Sequence, residues 1–130
     1  MKKILLLFIS LGISLAFSNE ERFLFERLFQ SLFNKKIIKI YTNKEGAKLI
    51  KKSRILKIVF TCDKADLILG IVDINCSKPV FVLNYYIYKN NSNVLGAFYW
   101  RKGRPQLRLR KNIIKKYKLN LSKDFEDFLE

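Results

Sequence analysis

The sequence predicts an α/β fold: a single domain with a Rossmann-like, mostly parallel sheet of about five or six strands, a C-terminal β-hairpin and helices on both faces. Two observations predict this class. Short apolar runs such as KKIIKIY and ADLILGI alternate with segments of helical spacing, which is typical of parallel strands buried on both sides. In addition, two segments of alternating polarity flank Arg101-Lys102-Gly103-Arg104, which indicates a hairpin.

Residues 1–18 have the pattern of a secretory signal peptide. Two lysines precede an apolar segment from Ile4 to Phe17. The segment Ala16-Phe17-Ser18 supplies small residues at the spacing that a signal peptidase recognises. We therefore expect cleavage after Ser18, a mature α/β domain of residues 19–130 and a periplasmic location. An uncleaved membrane anchor is the alternative, but an apolar segment of about 14 residues is shorter than the roughly 20 that a bilayer requires.

The next element is predicted to be an amphipathic helix from about Glu20 to Phe33. Apolar residues recur there at helical spacing, while acidic and basic residues take the opposite face. The predicted apolar stripe comprises Phe23, Leu24, Leu28, Phe29, Leu32 and Phe33. Phe25 falls outside this stripe, so it is either an additional core residue or a contact with a partner or a membrane.

Four short apolar runs follow the helix and are predicted to be strands. They span residues 35–41, 54–60, 65–71 and 78–84, although the second could instead continue the helix before it. The segment Thr42-Asn43-Lys44-Glu45 has the form of a capping box, in which a Thr side chain caps the helix and a Glu reaches back. It predicts a helix that Thr42 caps and that ends at about Lys52.

The end of the chain is predicted to contain the hairpin and two further helical segments. Residues 94–100 and 105–110 are predicted to form the strands of the hairpin, and Gly103 can take positive φ in its turn. Pro105 can begin its strand without breaking the ladder, which favours an edge position. A short helical turn within 84–93, a basic helix from Asn112 to Tyr117 and a last helical segment from Ser122 complete the prediction.

Cys62 and Cys76 are the only cysteines, and an even count in an exported chain favours a disulfide. Cys62 precedes the strand at 65–71, and Cys76 lies on the return towards the strand at 78–84, so the topology brings them together. Two buried thiols are the alternative. A metal pair is disfavoured, because the chain has no histidine and no further cysteine to complete a site.

Histidine is absent, which removes the commonest general base and the usual activator of a nucleophilic Ser or Cys. There is also no GxGxxG or Walker motif. Asp63, Asp66 and Asp73 flank one predicted strand, but they stand at opposite ends of it and turn or cap roles explain them. We therefore expect no enzymatic activity, no catalytic residues, no cofactor and no metal.

The chain is strongly basic, with 26 Lys and Arg against 11 Asp and Glu. Such a charge is usual in proteins that bind nucleic acid, but an exported domain seldom meets DNA or RNA, so we expect no nucleic-acid partner. Within residues 101–118 the basic side chains have no carboxylate among them. This cluster indicates either a solvated surface or a face that attracts an acidic protein or an anionic membrane.

Two sets of site residues follow from these patterns. In a parallel α/β sheet, ligands bind outside the carboxyl ends of the strands, where a small anion could be held. The predicted ligand-binding residues are Thr42, Asn43, Asp73, Asn84, Tyr85 and Tyr86. The hairpin and the start of the following helix form the predicted partner-binding face. Its residues are Arg101, Lys102, Arg104, Arg108, Arg110 and Lys111, while Phe98 and Trp100 are expected to pack in the core.

Three stretches resemble the YfiR-like family of small periplasmic proteins: CDKADLILG followed by CSKPVFVLN, GAFYWRKGRPQLRLR, and LRLRKNIIKKYKLNLSKDFEDF. The resemblance covers roughly the last 70 residues. The chain differs from the family in having Arg110 and Lys111 where an Asn is usual, and in lacking its early Trp-Pro. The resemblance implies a protein that binds the periplasmic part of an inner-membrane signalling enzyme, often a diguanylate cyclase, and holds it inactive.

The sequence thus predicts an exported binding or regulatory protein that docks on an inner-membrane protein, or on an anionic membrane surface, through its basic face. The alternative is a small-molecule, anion-binding protein related to one lobe of a transporter's solute-binding protein. That alternative would use the residues at the carboxyl ends of the strands.

Overall fold

The computed structural model describes residues 17–130 and contains one six-stranded sheet in the order β2-β1-β3-β4-β5-β6. Strands β1 to β5 run parallel, and β6 runs antiparallel to β5. The strands are β1 (Ile38–Thr42), β2 (Leu56–Val59), β3 (Leu67–Leu69), β4 (Val80–Val82), β5 (Gly96–Arg101) and β6 (Arg104–Leu109). The helices are α1 (Phe17–Phe33), α2 (Lys44–Ile50), α3 (Tyr85–Asn90) and α4 (Lys111–Lys116), with 3₁₀ turns at Cys62–Lys64 and Lys123–Phe128. The predicted α/β fold, the strand at 54–60 and the hairpin are confirmed.

The predicted signal peptide falls almost entirely outside the described residues, because only Phe17 and Ser18 belong to them. Those two residues begin α1. Within residues 17–130, no helix is both long enough and apolar enough to cross a membrane.

Helix α1 packs against one face of the sheet, which we call face A, through an aromatic cluster. The ring of Phe25 lies edge-on to those of Phe98 and Phe81, with centroid distances of 5.4 Å and 5.9 Å. Phe29 meets Phe81 in the same way at 5.4 Å. All four side chains are buried. Edge-to-face pairs of this kind stabilise a core beyond the area that they bury, so Phe25 is a core residue.

The prediction that Phe23 lies in the apolar stripe was wrong. Its side chain is 52% exposed, and the Arg22 guanidinium lies 5.0 Å from its ring centroid. The buried stripe is centred on Phe25, Leu28 and Leu32, which recur at i, i+3 and i+7. Because each residue advances about 100° around a helix, Phe23 points away from a stripe centred two residues later.

The predicted cap of α2 was also wrong, because Asn43 rather than Thr42 caps the helix. The Asn43 Oδ1 accepts a hydrogen bond from the Gly46 N–H at 2.9 Å. Thr42 still belongs to β1, and its hydroxyl donates to the Leu69 carbonyl of β3 at 2.8 Å. The strand pairing therefore uses the Thr42 hydroxyl, and the helix begins one residue later than the capping-box pattern indicates.

Two connections between parallel strands contain no α-helix and are joined by the predicted disulfide, which is confirmed. Residues 60–66 lead from β2 to β3, and residues 70–79 lead from β3 to β4. Cys62 of the first is bonded to Cys76 of the second, with their Cα atoms 6.4 Å apart. Val72 packs in the cluster of Tyr88 and its neighbours on the opposite face, called face B, where α3 also lies.

We predict that replacing Cys62 and Cys76 by Ser together lowers the free energy of unfolding by about 3 kcal/mol, the chain-entropy value for a loop of about 15 residues. Urea denaturation followed by far-ultraviolet circular dichroism measures this loss. Reduction of the wild-type protein should reproduce it, and the double variant should not respond to reductant. Equal midpoints for reduced and oxidised wild-type protein would contradict the prediction.

Glu21 is a buried carboxylate on α1 next to the end of β5. Its Oε2 accepts a hydrogen bond of 3.4 Å from the Trp100 indole N–H, and the residue is 9% exposed. Burial raises the pKa of Glu21 above its ordinary value of 4.5, and the bond to Trp100 opposes that rise only in part. The charged form is therefore disfavoured in the folded protein.

We predict that Glu21→Gln raises the free energy of unfolding at pH 7 and has a smaller effect near pH 3. A carboxyl with a raised folded pKa stabilises the fold most below its unfolded pKa, and this contribution is lost as pH rises through the folded pKa. Denaturation at several pH values measures the difference from wild type. Glu20→Gln is the matched control for the loss of one charge. A difference that grows as the pH falls would contradict the prediction.

Candidate functional site

The turn of the β5–β6 hairpin presents three basic side chains, Arg101, Lys102 and Arg104, which we call the basic tip. Lys102 and Gly103 have φ angles of 52° and 76° and form a two-residue turn, so Arg101 and Arg104 pair across it. Positive φ at both positions is the pattern of the tightest hairpin turns. All three basic residues are exposed. The tip is therefore a projection with a fixed backbone.

Two tyrosines of α3 adjoin the basic tip at the carboxyl end of the parallel strands. The Arg101 guanidinium lies 5.7 Å from the Tyr85 ring centroid, and the Tyr85 and Tyr86 rings meet at 5.5 Å. Tyr86 is 70% exposed. The structure thus brings together Tyr85 and Tyr86 from the predicted ligand set with Arg101 from the predicted partner set.

The remaining residues of the predicted ligand set have other partners or lie apart. The Asn43 side chain bridges the Gly46 N–H and the Gly70 carbonyl, and the Thr42 hydroxyl is bonded to β3. Asn84 caps α3 by accepting a hydrogen bond of 3.0 Å from Ile87. The bonds of Thr42 and Asn43 occupy the crevice between β1 and β3, where the direction of the strand order reverses. Asp73 is exposed in the connection between β3 and β4.

The predicted partner set is divided between the two ends of β6. The basic tip lies at one end, and Arg110 and Lys111 lie at the other. Five residue steps separate Arg104 from Leu109, which corresponds to about 17 Å along a strand. Arg108 lies between the two ends, on face B. The set therefore does not form one continuous patch.

Arg110 holds the segment that follows α3. Its guanidinium donates to the carbonyls of Tyr88 and Asn91 at 2.7 Å each and of Val94 at 3.2 Å. It also lies 3.9 Å from the centroid of the Tyr88 ring. These contacts close the loop between α3 and β5, so Arg110 has a structural role that its place in a basic cluster does not reveal.

A groove of about 260 Å³ lies on face B between α3 and β6, and we call it the tyrosine-arginine groove. Its lining residues are Tyr85, Tyr88, Lys89, Arg108, Arg110 and Glu130. The Arg108 Nη1 is 2.6 Å from the Glu130 Oε2, and the Tyr88 hydroxyl donates to the Glu130 Oε1 at 2.5 Å. Burial and the bond to Glu130 raise the pKa of Tyr88, so its hydroxyl stays protonated and remains a donor.

Tyr88, Lys89 and Glu130 also belong to the site, although their sequence pattern did not predict it. Tyr85 and Tyr88 are three residues apart on a helix, and Arg108 and Arg110 are two apart on a strand, so each pair shares a face. Those spacings could have indicated a tyrosine-arginine surface. Nothing in the local pattern around Glu130 indicates that it reaches Arg108, which is 22 residues away.

No protein-family model matches this chain, and a search of curated proteins finds no significant match.

We predict that Arg110→Met lowers the free energy of unfolding by about 2–3 kcal/mol, because three carbonyls lose a charged donor. Lys111→Met removes the same charge from the exposed neighbouring position and should change the stability by no more than about 0.5 kcal/mol. Urea denaturation of both variants measures the two effects. Similar losses in the two variants would show that net charge, rather than these hydrogen bonds, sets the stability.

Proposed function

We propose that the protein is an exported regulatory protein that docks on the periplasmic part of an inner-membrane protein through its basic tip. The observation that carries this proposal is the combination of exposure and charge at the tip. Arg101, Lys102 and Arg104 form no ion pair with any carboxylate of residues 17–130. An acidic patch on a partner would supply the missing counter-charges.

The surroundings of the tip support an interface more than a solvated surface. Exposed Tyr86 meets the ring of Tyr85, which in turn contacts the guanidinium of Arg101. Tyr and Arg are enriched among the residues that dominate binding energy at protein interfaces. Since the short turn already orders the backbone, docking loses less conformational entropy than it would with a flexible loop.

Two further features of the chain support the proposed location and role. A disulfide is consistent with an oxidising compartment such as the periplasm, which agrees with the signal peptide expected from the sequence. The resemblance to the YfiR-like family supports a partner that is a membrane-bound signalling enzyme, which this protein would hold inactive. An anionic membrane surface remains the alternative target for the same cations.

A second candidate function is the binding of a small anion in the tyrosine-arginine groove. Arg108 and Lys89 favour it, because they place positive charge around an open space. However, Arg108 is already paired with Glu130, and the space of about 260 Å³ is below the roughly 300–1,000 Å³ of typical small-molecule pockets. Protein docking is therefore the function that the geometry supports better.

We predict that Arg101→Glu with Arg104→Glu abolishes docking while the fold is retained, because both changes lie in an exposed turn. The measurement is affinity capture of residues 19–130 on solubilised membranes at low and moderate salt, with mass spectrometry of the bound proteins. The wild type should retain one inner-membrane protein, and moderate salt should weaken that retention.

The matched control for docking is Lys115→Glu with Lys116→Glu, which changes the net charge equally at the opposite end of the sheet. This control should retain the partner. Loss of capture in both double variants would mean that overall charge, rather than the tip, drives binding. Retention by the tip variant would refute docking through the tip. Equal binding of wild type and control to anionic lipid vesicles, with no protein captured, would favour a membrane surface.

A further inference from the structure

Arg108 and Tyr88 form a cradle that binds both oxygens of the Glu130 carboxylate. Arg108 bonds to one oxygen at 2.6 Å, and the Tyr88 hydroxyl bonds to the other at 2.5 Å. Charge-assisted bonds to both oxygens of one carboxylate are how proteins recognise that group with good geometry.

Neighbouring side chains hold both parts of the cradle in place. The Arg108 Nε donates to the Tyr99 hydroxyl at 3.4 Å, and Tyr99 is buried in face B. The ring of Tyr88 is covered by Arg110, which is itself fixed by backbone carbonyls. The cradle is therefore organised by residues other than the carboxylate that it holds, which lowers the cost of exchanging that carboxylate for another.

Glu130 neither fills the tyrosine-arginine groove nor neutralises it. Its side chain is 42% exposed, and about 260 Å³ of open space remains beside it. Lys89, Arg108 and Arg110 line this space, so three cations face one carboxylate. The groove remains positively charged with Glu130 in place and attracts further acidic groups.

We infer that the tyrosine-arginine groove is a binding site for an acidic side chain of the docking partner, and that Glu130 occupies its carboxylate cradle as an internal competitor. The inference rests on the proposed function and specifies one of its contacts. The space admits a Glu or Asp side chain, and its volume is below the roughly 300–1,000 Å³ of typical small-molecule pockets.

The competitor weakens binding in a way that can be measured. A partner carboxylate can enter the cradle only in the fraction of molecules from which Glu130 has moved away, so the apparent Kd rises by the inverse of that fraction. Removing the Glu130 carboxylate should therefore strengthen binding. Removing Arg108 should weaken it whether or not Glu130 is present.

The test uses residues 19–130 and the peptide acetyl-Gly-Glu-Gly-amide as the acidic side chain. Titration is followed by nuclear magnetic resonance at the Arg108 Nε–H signal and the Tyr88 amide. We expect Glu130→Ala to bind the peptide about tenfold more tightly than wild type, which corresponds to Glu130 occupying the cradle about nine-tenths of the time. Asp127→Ala removes the same charge from an exposed position nearby and should bind as wild type does.

Further experiments test whether the site recognises a carboxylate, and whether that carboxylate belongs to a protein side chain. The peptide with Gln in place of Glu should not shift either signal, and Arg108→Gln in the Glu130→Ala background should abolish the response. Equal affinity of wild type and Glu130→Ala would overturn the inference, as would equal binding of the Gln peptide. Acetate binding as tightly as the Glu peptide would overturn the assignment to a protein side chain.

These outcomes are separable from those of membrane capture. Peptide binding that is stronger in Glu130→Ala, together with capture that does not depend on the tip, would refute the proposed docking and retain the carboxylate site. Capture that depends on the tip, together with equal peptide binding, would refute only the carboxylate site.

Discussion

The Cys62–Cys76 disulfide joins the segments that precede and follow β3, and neither of these segments contains an α-helix. Parallel strands are usually joined by crossovers of about a dozen or more residues that contain a helix. Residues 60–66 and 70–79 are shorter and contain no α-helix. The bond between them ties together the segments on both sides of β3, whose register places the carbonyls of Leu69 and Gly70 within reach of Thr42 and Asn43.

The two faces of the sheet are packed with different aromatic residues, and this difference explains why the tyrosine-arginine groove lies on face B. Face A is filled by phenylalanines such as Phe25 and Phe81, which have no polar atom and need no partner. Face B near β5 is filled by tyrosines, among them Tyr88 and Tyr99. A tyrosine can bury its ring and keep its hydroxyl at the surface. Face B is therefore both a packed layer and a source of hydrogen-bond donors beside Arg108.

Most of the fold follows from local pattern, and most of the site does not. Apolar runs and turn residues were sufficient for the order of strands along the chain, because period and turn chemistry act over a few residues. Asn43 rather than Thr42 caps α2, because the Thr42 hydroxyl, which the capping-box motif requires, is instead bonded to the distant Leu69 carbonyl. The Arg108–Glu130 contact likewise depends on a long-range pairing, because Leu129 forms a β-bridge with Leu109 and the Glu130 N–H donates to the Leu109 carbonyl at 2.7 Å. The local pattern indicates Arg108 and Arg110 of the site, but it does not indicate Lys89 or the carbonyl contacts that give Arg110 a structural role.

The basic tip and the groove are adjacent, because Tyr85 contacts Arg101 of the tip and also lines the groove. In the proposed docking they have different physical roles. The exposed cations of the tip act at a distance and are screened by salt, so they govern mainly the rate of association. Arg108 is partly desolvated and bonded in a fixed geometry, so its contact governs mainly the rate of dissociation. A partner with acidic side chains along one extended segment could reach the tip first and displace Glu130 afterwards, which separates recognition from the formation of a long-lived complex.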